Sequence, residues 1–241
     1  MNTLLSGELL KLRTVRTPWL VLLAAQAALV LGVTGLVVNN DTSDPDLPAQ
    51  AVSHVGLVSL FMLVLGATAV AGEYRHRTIA TTYLATPRRT PVVLAKLLVY
   101  TGLGLASGIV SAAIALAATA VAYGVTGDSL SLSDGDLWTT LVGGVAWNAA
   151  FAAIGVGLGA VVRSLPVAVG AALAWLALVE GLVAQLIGDA GDWLPFAAGR
   201  ALGALPETDG LAQGTAAVVL LGYGVAFAVA GAAVTTRTDV T

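Results

Sequence analysis

Residues 73–96 read Glu73-Tyr-Arg-His-Arg-Thr-Ile-Ala-Thr-Thr-Tyr-Leu-Ala-Thr-Pro-Arg-Arg-Thr-Pro-Val-Val-Leu-Ala-Lys96 and hold five of the eleven basic residues of the chain. Long apolar runs flank this stretch on both sides, which predicts a water-facing basic loop between two membrane helices, on the cytoplasmic side by the positive-inside rule. Such a loop offers a contact surface. Composition points the same way: 57% of the residues are apolar and 10% charged, against roughly 25% charged in a soluble domain. The expected fold is an all-α integral membrane protein, one transmembrane domain over residues 1–241 with no soluble module attached. With no cysteine, disulfides, thiol chemistry and cysteine-rich metal sites are excluded.

Upstream of the loop, residues 1–17 carry Glu8, Lys11, Arg13 and Arg16 among leucines, with Leu5, Leu9 and Leu12 on one helical face. This reads as an interfacial amphipathic helix, or more simply as a basic topogenic tail. Thr17-Pro18 is a cap followed by a first helical residue. The first span, 18–38, has 21 residues, about 31 Å of helix, too long for a signal-peptide core. An acidic, proline-containing loop follows, then a second span over 51–72. Downstream of the loop, Thr90-Pro91 repeats the cap-plus-proline start of a third span, 91–123. Ser133 with Asp136 resembles a capping box that opens a fourth, 137–162. A tight turn at Arg163-Ser-Leu-Pro166 leads into a fifth, 166–187, and the sixth covers 213–235.

This topology puts ten basic residues inside and leaves Arg200 alone outside. All eight prolines fall in loops or first turns, so no span needs an internal break. Residues 188–212 include two short apolar pieces, 193–198 and 201–205. They cover only about 16 Å if helical, which predicts a hairpin of short helices dipping into the outer leaflet.

The chain lacks a Gly-x-x-x-x-Gly-Lys-[Ser/Thr] loop, so it does not itself hydrolyse ATP by that route. His54 and His76 lie near opposite faces, which argues against a metal site or a serine–histidine pair. Four Gly-x-x-x-Gly matches start at Gly104, Gly155, Gly199 and Gly210. Glycine abundance alone accounts for about three, so the motif carries little weight. Among the sparse polar residues inside spans are Gln26, Ser59 and Glu180, candidates for a translocation path or gate together with Arg200. Glu180, the one acid within a span, lies about 21 Å above the inner boundary. Pairing with Arg200 would offset part of both burial costs and pin the hairpin.

Two stretches carry a family resemblance. Glu8-x-x-Lys11-Leu12-x-Thr14-x-Arg16-Thr17 before the first span, with Glu73-Tyr-Arg-x-x-Thr78-Ile79, Pro87-x-Arg89 and Lys96 after the second, resembles the membrane subunits of type-2 ATP-binding-cassette exporters, permeases that lack their own ATPase domain. The resemblance implies an interfacial amino-terminal helix, six spans, a coupling helix between spans two and three, and an outer re-entrant hairpin between five and six. It further implies a second permease copy or a paralogue, two ATP-binding subunits that hold ATP and Mg, and a bacterial cytoplasmic membrane with both termini cytoplasmic. This chain is then expected to be no enzyme, to bind no cofactor of its own and to have no nucleic-acid partner. The coupling helix is expected over Thr78–Thr86, with Glu73, Arg75, Arg77, Thr78, Ile79 and Tyr83 as the contact to the ATPase. Two facing halves would enclose a mostly apolar path suited to an amphiphilic or hydrophobic cargo such as a drug, peptide antibiotic or lipid. The alternatives are a non-transport membrane anchor or assembly factor and, disfavoured by the missing histidines and paired acids, an intramembrane enzyme.

Overall fold

The apolar runs form helices, and no strand occurs among the described residues of the computed structural model, which are 1–86, 88–205 and 210–237. Pro87 of the family resemblance, residues 206–209 of the outer segment and the tail from Thr238 lie outside them. Helix α1 (Asn2–Thr14) meets α2 (Arg16–Val38) at Val15, whose extended backbone turns the chain. The Trp19 indole fixes this corner by donating to the Leu12 carbonyl at 2.8 Å. Helix α3 (Leu47–Val52), a 3-10 turn (Ser53–Leu57) and α4 (Val58–Arg75) run on as one 29-residue apolar element. It starts four residues before the expected span because Pro48 sits in its first turn, where a missing N–H costs nothing.

A short helix α5 (Ile79–Ala85) follows, close to the expected coupling helix. Helix α6 (Arg89–Thr126) has 38 residues, about 57 Å, well beyond a bilayer core of roughly 30 Å. Gly127, at φ 90°, ends it in the left-handed region. Helix α7 (Gly135–Val162) is capped by Asp134, which accepts from Asp136 N at 2.9 Å. Ser133 is not the cap as expected; its Oγ lies 2.8 Å from that of Ser131, and the charged Asp134 is the stronger partner for a helix N-terminus.

Residues Leu165–Ile187 are helical throughout, as α8 (Leu165–Ala174), a π-turn (Trp175–Val179) and α9 (Glu180–Ile187). The expectation of unbroken spans fails here without a proline. The π-turn takes up one extra residue, so the inward stripe of Ala168, Ala172 and Leu176 continues through Glu180 while Val179 turns outward. Residues 188–202 form a 3-10 turn (Gly188–Trp193) and one helix, α10 (Pro195–Leu202), which merges the two apolar pieces read separately in the sequence. Helix α11 (Gln213–Arg237) completes the bundle.

Among the described residues, five elements are long and apolar enough to cross a membrane: α2, α3–α4, α6, α7 and α11. Helix α7 lies at the centre, against α4, α6 and α11. Close backbone approach holds these pairs together. A Cβ at Gly155 or Gly159 would strike the backbone of Leu63 and Ala67 on α4, and one at Gly104 or Gly108 the backbone of α7. Two Gly-x-x-x-Gly matches dismissed on frequency are therefore contact sites. The outward faces of α2 and α11 expose Leu20, Leu23, Leu31, Leu221 and Val229, apolar surface suited to lipid. One end of the bundle collects α1, α5 and most of the arginines. The other collects the acidic loops, two of which meet where the Thr42 hydroxyl donates to the Asp128 carboxylate.

Candidate functional site

At the basic end, four charged residues from three elements close into one cluster, buried except for Lys11. Lys96 of α6 is 1% exposed, and its Nζ donates to Glu8 Oε1 and Oε2 at 3.0 Å each, to Glu73 Oε1 at 2.6 Å and to the Ala69 carbonyl at 2.9 Å. Lys11 Nζ approaches from the solvent side, 2.7 Å from Glu8 Oε1 and 2.6 Å from Glu73 Oε1. Two lysines and two carboxylates cancel, which makes burial tolerable. Burial works against the charge on Lys11, but its bonds to Glu73 and Glu8 outweigh that and hold its pKa above the ordinary lysine value.

This cluster corrects the expected face of α1. Leu5, Glu8 and Leu12 turn inward, while Leu9 is exposed. With Lys96 buried, its charge needs a buried counter-ion, which Glu8 supplies and a leucine would not. The residues assigned separately to an interfacial helix (Glu8, Lys11) and to a coupling loop (Glu73) thus form one clasp. Arg13 and Arg16 remain exposed. Lys96, which the sequence offered only as part of the family resemblance, is its centre.

Below the clasp, α5 is held by aromatic and guanidinium contacts. Tyr74 and Tyr83 place their hydroxyls 3.5 Å apart, Arg89 lies 5.1 Å from the Tyr83 ring centroid and Arg163 5.7 Å from that of Tyr74. Burial pushes the Tyr83 phenol upward, so it stays neutral. Arg163 Nη2 and Arg89 Nη1 each donate at 2.8 Å, to the Val234 and Thr235 carbonyls. These belong to the last turn of α11, where carbonyls lack helical partners and a cation is favoured. The expected presentation of Ile79 to a partner is wrong: Ile79 is 2% exposed and anchors α5 inward, and Tyr83 is half-buried. The face left to solvent consists of Arg75, Arg77, Thr78, Thr81 and Leu84, the last 83% exposed.

At the acidic end, Glu180 is 3% exposed and its Oε1 accepts from Phe196 N and Ala197 N at 2.7 Å each. Among the described residues Arg200 forms no ion pair, so the expected Glu180–Arg200 partnership is absent. The carboxylate binds the N-terminus of α10 instead, where two free N–H groups and the helix dipole already favour an anion. Trp147 of α7 backs the same helix, 5.7 Å from Phe196 by ring centroids and against Gly199. Gln213 Nε2 ties the end of α10 to α7 through Leu202 O at 2.8 Å and Thr139 O at 3.0 Å.

The remaining path candidates lie within helix contacts. Gln26 Nε2 donates to Ser111 Oγ at 2.8 Å and so joins α2 to α6, and Ser59 is fully buried. Asn148 of α7 donates from Nδ2 to Val55 O at 3.0 Å, inside the 3-10 turn whose carbonyls lack α-helical partners. An apolar cavity of about 320 Å³ lies between α8 and α11 over α7, lined by Phe151, Ile154, Trp175, Leu176, Tyr223 and Phe227 among others. Compared with protein-family models and with curated proteins, the chain finds no match. The resemblance therefore rests on the residues that carry it.

Proposed function

We propose that the chain is the permease subunit of an ATP-driven exporter, working with a second copy or a paralogue and coupled to two separate ATP-binding subunits that hold ATP and Mg. In this reading Leu165–Ile187 is a sixth span, residues 188–212 form an outer re-entrant hairpin, and the basic end with both termini faces the cytoplasm of a bacterium. The cargo is amphiphilic or hydrophobic. The observation that carries the reading is the mounting of α5. A seven-residue helix between two spans keeps one face in solvent, with Leu84 exposed on it, while Ile79, the tyrosine pair and Arg89 hold it to the bundle. A helix fixed that firmly transmits a push from a partner to α4 and α6, which a loose loop does not.

The test compares two substitutions on opposite faces of α5. Leu84→Asp is expected to abolish copurification with an ATP-binding subunit encoded beside this chain, and with it transport-stimulated ATP hydrolysis, at an unchanged unfolding temperature. Ile79→Asp is expected to lower that temperature, because its charge must be buried. Full stimulated hydrolysis in Leu84→Asp would remove α5 as the contact.

A further inference from the structure

Three oxygens buried in the bundle, Ser59 Oγ of α4, Ser107 Oγ of α6 and Asn148 Oδ1 of α7, make no hydrogen bond among the described residues. Their residues are 0%, 7% and 0% exposed. Each stands near the middle of its apolar element, the 29 residues of α3–α4, the 38 of α6 and the 28 of α7. Unpaired polar atoms at that depth are costly, because lipid offers them nothing.

The packing around them brings the three together. Val55 packs on Gly144 and Gly66 on Ala152, so Ser59, between them on the face that α4 turns to α7, is level with Asn148. The bond from Asn148 Nδ2 to Val55 O fixes that register. From α6, Gly104 meets the Asn148 carbonyl and Gly108 its Cβ, with Ser107 on the turn between. One turn toward the basic end, Met62, Leu103 and Ala152 belong to one packed cluster. Each is three or four residues from one of the polar three, hence on the same side of its helix.

Other hydroxyls on these helices bond their own backbone: Thr68 donates to Val64 O at 2.7 Å and Thr119 to Ala115 O at 2.8 Å. Ser59 and Ser107 do not. Asn148 uses both Nδ2 hydrogens, on Val55 O and on Gly144 O at 2.8 Å, and leaves Oδ1 an acceptor without a donor.

We propose that these three oxygens bind one water molecule, which accepts from the Ser59 and Ser107 hydroxyls and donates to Asn148 Oδ1. About three hydrogen bonds is the usual number for a buried water. Charge decides against a metal cation. The acids of these three elements are Glu73 and Asp136, at opposite ends, so a cation between them would lie in the bilayer interior without a counter-charge. The water ties α4 and α6 to α7 where glycines let the backbones close. The site rests on helix packing alone, so failure of the ATPase pairing would leave it standing.

The test is a double-mutant cycle on the full-length protein in detergent micelles, read by denaturant unfolding. Ser59→Ala and Ser107→Ala are each expected to raise the unfolding equilibrium constant about fivefold, as for one lost hydrogen bond. Together they should fall well short of the product of the two, because both act through one water. Neutral or stabilising single variants would mean hydroxyls that bond nothing, and effects that multiply would mean hydroxyls bonded separately; either overturns the proposal. With nitrogen-labelled asparagine, an NMR cross-peak from water to the Asn148 side-chain amide is expected in the parent protein and lost in the double variant. Its absence from the parent would mean that no water is held there. The unfolding midpoint should be the same in sodium, potassium and choline chloride at one ionic strength. A gain specific to sodium or potassium would mark a cation site and overturn the assignment of water.

Discussion

Lys96 is the residue on which the basic end depends. It contacts both carboxylates and the Ala69 carbonyl with its side chain almost fully buried, whereas the Lys11 side chain, on the same two acids, is 45% exposed. Replacing Lys96 with Met leaves Glu8 and Glu73 buried with half their compensation, and the expected cost is about 3–5 kcal/mol. Lys11→Met removes a partner that water can replace, at about 1 kcal/mol or less. Denaturant unfolding in detergent micelles reads both. Equal losses would mean that the buried lysine is no more critical than the exposed one. Glu8, Lys11, Glu73 and Lys96 were each visible as charges beside apolar runs. Their convergence was not, because it joins residues up to 88 positions apart and local periodicity has no term for that.

Among the elements, α10 shows best how an expected side-chain partner gave way to backbone. The sequence pointed to Glu180 as the pin of the outer hairpin by its cost in the membrane, and to Arg200 as the one basic residue nearby. In the structure Glu180 does bond α10, and its partner there is backbone, not Arg200. The π-turn directs Glu180 at α10, and the N–H groups of Phe196 and Ala197 reach it before any side chain does. Glu180→Gln should then cost about 1–2 kcal/mol, the difference between charge-assisted and neutral hydrogen bonds, and should speed hydrogen exchange at those two amides. Arg200→Gln should stay within about 0.5 kcal/mol. The double mutant is expected to be additive within about 0.5 kcal/mol. A coupling above about 1 kcal/mol would restore the ion pair and remove the backbone assignment. A π-turn without proline left no mark in the hydrophobic pattern, so neither it nor the true partner was legible beforehand.

For the whole molecule, orientation is the property that organises the rest, and a chain without cysteine makes it simple to measure. Single cysteines at Thr42 and Ser131, in the loops of the acidic end, should react with an impermeant thiol reagent applied to intact cells, and one at Thr82, on α5, should not. Labelling at Thr82 alone would invert the bundle and end the coupling argument. Which end of the bundle is basic and which acidic was readable from charge, because it is a local matter of arginine, lysine and aspartate counts in each loop. So were the five long helices and the site of α5, since an apolar run long enough to cross a bilayer has few other ways to satisfy its backbone. What tertiary structure decided was which faces meet. Glycines set where α4 and α6 press on α7, and only contact distinguishes them from glycines of mere abundance. The buried clasp turned α1 onto Glu8 and away from Leu9, and the packing of Ile79 reversed the face that α5 presents. Each depends on a partner distant in sequence, where the energy lies in a pair and neither residue alone reveals it.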